Sequence, residues 1–148
     1  MPAEGVPEYL SRQKAESFRE TIKDDEMIIT ADTVVILDGK IFGKPADADE
    51  ALEMLMQLSG KTHRVVTGVT VSTLERQESF SCVTEVEFSE ISHEDASYYV
   101  QNYRPFDKAG AYGIQEWIGC VAVKEIRGSF YNVMGLPVHR LYQLLRTF

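Results

Sequence analysis

The chain has 148 residues, 44% of them apolar and 26% charged, with 15 Lys and Arg against 23 Asp and Glu for a net charge of -8. That length and composition fit one domain able to bury a core without disulfides or a structural metal. The acidic balance excludes general binding to nucleic-acid backbones or anionic lipid, so a polyanionic ligand must be held by a local basic cluster.

In chain order, Val6 to Lys23 reads as a helix, with Pro7 in its first turn and Tyr9, Leu10, Ala15 and Phe18 near helical spacing. "MIITADTVVILDGKIFG" reads as a strand, an Asp-Gly turn at Asp38 and Gly39, and a short return strand. "DADEALEMLMQLSG" is a helix with acids in its first turn, a core face of Leu52, Leu55, Met56 and Leu58, and Gly60 as its stop. "THRVVTGVTVSTLE" and "ESFSCVTEVEFSE" are strands joined by a polar turn, the second alternating apolar and polar residues as a half-exposed strand does.

"SHEDASYYVQNY" is a helix capped by Ser92, and "RPFDKAGAYGIQ" a Gly/Ala-rich loop or short helix. "GCVAVKEIRGSFYNV" reads as a hairpin and "PVHRLYQLLRTF" as a closing helix. This order does not fit strict βαβ repetition and predicts an α/β (α+β-like) fold, a mixed β-sheet flanked by helices in a single domain.

No apolar run reaches the roughly 18 residues needed to span a bilayer, and "MPAEGVPEYL" lacks a signal peptide's regions. A cytoplasmic setting with no membrane partner is expected. Cys82 and Cys120 belong to no metal-binding spacing and are expected as buried free thiols. His63, His93 and His139 lack a two-histidine metal spacing and are expected to be structural or exposed. Ser129 has no visible His/Asp partner, which argues against a serine nucleophile.

Three places carry chemistry. "DGKIFGKP" resembles a phosphate loop only superficially: three residues separate Gly39 from Gly43, and Pro45 follows Lys44. Lys44 is left as either a phosphate-neutralising charge at a cleft mouth or a solvated turn lysine. Asp32 stands among Ile28, Ile29, Val34, Val35 and Ile36, where an unpaired carboxylate carries a large desolvation penalty. It must meet a cation, a metal or water. Structural pairing and use as a general base or Mg²⁺ ligand both satisfy that demand. In "FDKAGAYGIQ", Gly110 and Gly113 permit close backbone approach, while Asp107, Lys108 and Gln115 offer a carboxylate, a cation and an amide. On glycine density alone, a tight turn between helix and strand is the favoured reading. Trp117, just beyond, is expected to pack rather than stack on a base.

Six segments together resemble the Maf family of nucleoside triphosphate pyrophosphatases: "YLSRQKA", "ADTVV", "GKP", "HRVVTGV", "DKAGAYGIQ" and "GSFYNVMGLP". Their order and spacing agree with the family over nearly the whole chain. The resemblance implies a nucleotide-binding cleft and hydrolysis between the α and β phosphates, with a divalent metal cation (Mg²⁺ or Mn²⁺) and a homodimer. It makes Asp32 the proton acceptor and a metal ligand, Thr33 and Gln115 the positions that set base preference, and Lys14 and Lys44 phosphate contacts. The "GSFYNVMGLP" ending is similar to the branch acting on dTTP and UTP.

The family's N-terminal SxxRR segment, whose arginines contact phosphate, has no counterpart in residues 1–148. The resemblance therefore implies a shortened Maf-like domain of weakened or absent activity, since such bidentate contacts are strong. The competing expectation is a non-enzymatic interaction module in cell-division control.

Overall fold

The computed structural model describes residues 1–148. Its centre is a five-stranded sheet in the order β2-β1-β3-β4-β5, formed by β1 (Ile28–Leu37), β2 (Lys40–Phe42), β3 (Thr62–Ser72), β4 (Gln77–Phe88) and β5 (Val123–Arg127). All four pairings are antiparallel. The helices are α1 (Val6–Glu16), α2 (Ala48–Leu58), α3 (His93–Tyr103), α4 (Trp117–Ala122), α5 (Phe130–Met134) and α6 (Val138–Leu145). The α/β class and single domain expected from the element order are observed, but the sheet expected to be mixed is antiparallel throughout, because successive strands pair as neighbours through turns or return beside one another without a parallel crossover. No helix is long and apolar enough to cross a membrane.

Local signals act where they were expected. Asp38 and Gly39 both take positive φ, 51° and 78°, which the tight turn between β1 and β2 requires. The Asp47 side chain accepts from the Glu50 N–H at 2.8 Å to open α2, and Ser92 accepts from Asp95 N–H at 3.0 Å to open α3.

One face of the sheet carries the main core. Val35, Leu37, Val65, Val86 and Phe88 meet Leu55 and Leu58 of α2 and Tyr99 of α3. Further along that face Leu141 of α6 covers Val69 and Val71. The other face receives α1, which crosses so tightly that a β-carbon on Gly68 would stand 2.1 Å from the Glu8 nitrogen and 2.3 Å from its α-carbon. Only small residues fit under such a helix, and Pro7, Ser11 and Ala15 are the ones buried. The seam is polar: Ser11 and Thr70 hydroxyls meet at 2.7 Å, and the Thr30 hydroxyl donates to the Ser11 carbonyl at 2.7 Å.

Several expectations are corrected. The first helix ends at Glu16 rather than Lys23; its Tyr9 is exposed because the close crossing at Gly68 admits no bulk, and Phe18 lies beyond the helix and is exposed as well. Met56 lies outside the core face of α2. The segment 119–133 is not a hairpin: it supplies the end of α4, then β5, then α5. The thiols are free but not buried. Cys120 points away from the inward Ile118 and Ala122 of α4, and Cys82 lies where β4 is an edge strand, since β5 pairs only with Glu85–Phe88.

Candidate active site

The pairing of β1 explains how a strand can hold a carboxylate. On one side β1 runs beside β3 from Ile28 to Ile36, but on the other β2 reaches only Val35–Leu37. At Ala31–Val34 the strand therefore forms a sheet edge, and a cleft of about 380 Å³ opens against it. Asp32 and Thr33 point to opposite faces of the pleat, yet both line that cleft because it wraps around the edge.

Each wall comes from a different part of the chain. The last turn of α1 brings Lys14, whose amine donates to Asp32 Oδ1 at 3.1 Å and to the Ala31 carbonyl at 2.9 Å. Asp32 is 22% exposed and Lys14 51%. Lys44 enters after β2, and the adjacent Gly43 carbonyl accepts from the Gly110 N–H at 3.1 Å, tying that turn to the loop 107–115. The loop contributes Asp107, Lys108, Tyr112 and Gln115, and the end of α5 contributes Val133, Met134 and Gly135. Lys14, Asp32, Thr33, Lys44 and Gln115, five positions spread over a hundred residues of sequence, thus face one cleft.

The loop is held from below. Tyr99 of α3 donates to Glu116 Oε1 at 2.5 Å and accepts from the Gly113 N–H at 3.0 Å. Burial first, then the bond to Glu116, push this phenol's pKa up and keep it neutral. Trp117 makes an edge contact with Tyr98, 4.9 Å between ring centroids, and does not line the cleft.

The Maf-like protein family matches residues 1–148, the entire chain. The chain belongs to the Maf-like family. The dTTP/UTP pyrophosphatase of Phocaeicola vulgatus is 56% identical over 146 residues, covering 99% of this chain and 76% of the relative. Proteins of the same name from Bacteroides thetaiotaomicron and Porphyromonas gingivalis are 55% and 56% identical, covering 95% and 98% of this chain and 73% and 74% of their own lengths.

Two supports of this Maf-like cleft were not foreseen from sequence. The buried Asn132 amide lies 3.2 Å from the Val65 carbonyl, 3.1 Å from the Cys82 carbonyl and 3.0 Å from Thr84 Oγ1, pinning α5 across two strands. The signal was Ser129 three residues earlier, which caps the Asn132 N–H at 3.1 Å. The second is His63, 1% exposed, whose Nε2 lies 2.6 Å from the Tyr112 hydroxyl on the cleft wall. Its place in the core-facing phase of Val65, Val69 and Val71 was the readable sign. His93 and His139 are exposed.

Burial lowers the His63 pKa from 6.5 to about 4, so the folded protein carries this ring neutral. Because the unfolded chain takes up the proton first, stability is fully present above pH 6.5 and falls as the pH drops toward 4. Urea unfolding of wild type and His63→Gln should show it. Between about pH 7 and about pH 4.5 the wild type is expected to lose about 2 kcal/mol more than the variant. Equal losses would remove His63 from the acid sensitivity.

For a metal, the cleft offers Asp32 and Asp107, and no group of three His, Cys, Asp or Glu side chains is placed to hold one unaided. One or two carboxylates suit a Mg²⁺ that arrives with phosphate oxygens completing its shell. Asp107 makes only a 3.5 Å ion pair with Lys108 and is 77% exposed.

Proposed function

We propose that the chain hydrolyses dTTP and UTP between the α and β phosphates, giving the nucleoside monophosphate and pyrophosphate. The observation that carries this is the convergence of Lys14, Asp32, Thr33, Lys44 and Gln115 on one cleft, in a chain 56% identical to a protein named dTTP/UTP pyrophosphatase. Asp32 accepts the proton of the attacking water. Its position at the sheet edge keeps it 22% exposed and open to solvent, as a base acting on water needs. Lys14 holds Asp32 in place before substrate binds, and Lys14 and Lys44 compensate phosphate charge. Thr33, hydrogen-bonded to Thr67 at 2.9 Å, and Gln115 contact the base. A divalent cation, Mg²⁺ or Mn²⁺, held by Asp32 together with the phosphates, supplies neutralisation of the charge on the leaving pyrophosphate. The setting is a cytoplasmic homodimer, a reading supported by the free thiols and the family resemblance.

The test is pyrophosphate release from a panel of nucleoside triphosphates, run on residues 1–148 and on the same chain carrying further N-terminal residues. Release from dTTP and UTP ahead of the purine triphosphates is expected from at least one of the two. No release by either from any triphosphate would overturn the proposal. Gln115→Ala should change the ranking of the panel more than it changes melting temperature, and an unchanged ranking would take Gln115 out of base recognition.

A further inference from the structure

Lys108 is a third lysine lining the cleft, beside Lys14 and Lys44. Its stem lies over the backbone of its own loop: a β-carbon on Gly113 would stand 2.7 Å from Lys108 Cε and 2.9 Å from Cδ. The loop achieves this with two consecutive left-handed residues, Gly110 at φ 70° and Ala111 at φ 64°, which turn the chain back under Lys108. Ala111 holds that conformation despite its β-carbon, and it does so fully buried in the main core.

The three cleft lysines differ in how they are held. Lys14 is engaged by Asp32 and the Ala31 carbonyl. Lys44 is exposed and forms no ion pair. The Lys108 side chain is only 24% exposed, yet its amine meets nothing closer than the exposed Asp107 carboxylate at 3.5 Å. Pairs of that kind contribute little, so packing of the stem, not the ion pair, fixes this side chain. A lysine ordered before its ligand arrives loses less rotamer freedom on binding.

We infer that Lys108, seated on Gly113, is a further phosphate-contacting residue of the cleft, ordered in advance for the pyrophosphate portion of the substrate. The inference rests on the pyrophosphatase reading, and its test separates the two. Binding of inorganic pyrophosphate with Mg²⁺ is measured by calorimetry on the wild type, Lys108→Met, Lys108→Arg and Gly113→Ala, beside KM and kcat for dTTP.

Methionine keeps the stem and removes the charge, so Lys108→Met is expected to weaken pyrophosphate binding and raise KM for dTTP at least tenfold with its melting temperature held. Lys108→Arg should restore part of the affinity. Gly113→Ala, whose β-carbon would meet the Lys108 stem at 2.7 Å and Glu116 Oε1 at 2.9 Å, side-chain atoms rather than backbone, should weaken binding by a smaller factor. Equal pyrophosphate affinity in wild type and Lys108→Met overturns the inference, as does a wild type that binds no pyrophosphate. A wild type that binds pyrophosphate through Lys108, when neither it nor the N-terminally extended chain turns over any triphosphate, upholds this seat and overturns the proposed reaction.

Discussion

Asp32→Asn is expected to fold as the wild type does and to release pyrophosphate at least about a hundredfold more slowly, the usual scale for loss of a positioned general base. Asparagine matches aspartate in shape, so the packing of β1 between β3 and the cleft is unchanged. What disappears is the lone pair of an ionised carboxylate, and with it the proton acceptor. The stability effect should be small, because the partner Lys14 is 51% exposed and a pair so open to solvent contributes at most about 1 kcal/mol. The measurement is kcat for dTTP beside a urea midpoint for both proteins. Equal kcat values would exclude Asp32 as the base, and a large drop in midpoint would make it a structural residue instead.

Gly68→Ala should produce a large loss of stability for a single added methyl group. The atoms its β-carbon would meet, at 2.1 to 2.4 Å, are the backbone of Pro7 and Glu8, and no side-chain rotation relieves a clash with backbone. The first helix must lift off the sheet. That separates the Ser11 and Thr70 hydroxyls, leaves the buried Thr30 hydroxyl without its partner, the Ser11 carbonyl, and draws Lys14 away from Asp32.

Overpacking together with those broken bonds is expected to cost about 3 kcal/mol or more, read as a lower urea midpoint. Gly43→Ala is the control, since nothing lies within 4 Å of its added β-carbon. A Gly68→Ala protein as stable as the control would mean that the helix is not seated where the structure places it.

The first helix also shows why one part of the sequence was readable and another was not. Its start could be placed from Pro7, a local preference of the chain. Its inward face could not, because apolar spacing pointed to Tyr9 and Phe18 while the glycine that selects Ser11 and Ala15 lies more than fifty residues away on β3. Residues 119–133 failed for the same kind of reason. The β-branched run Val121, Val123 and Ile126 favours strands, but Ile118 and Ala122 are drawn into the core as a helix, and the Asn132 amide binds two strands to make α5.

By itself the sequence determined the α/β class, the capped helices, the Asp38-Gly39 turn, the alternation of the strands and, through the resemblance of six short segments, the residues to look for. Those are properties of neighbours along the chain, where dihedral preferences and side-chain spacing act within a few residues. Only the tertiary structure decided that β2 stops short and leaves Asp32 at a sheet edge, that Lys14 reaches it from another element, and that Lys108 lies ordered over Gly113. These are distances between segments far apart in the chain. They are set by which strands pair and how closely a helix approaches, and no local preference encodes either.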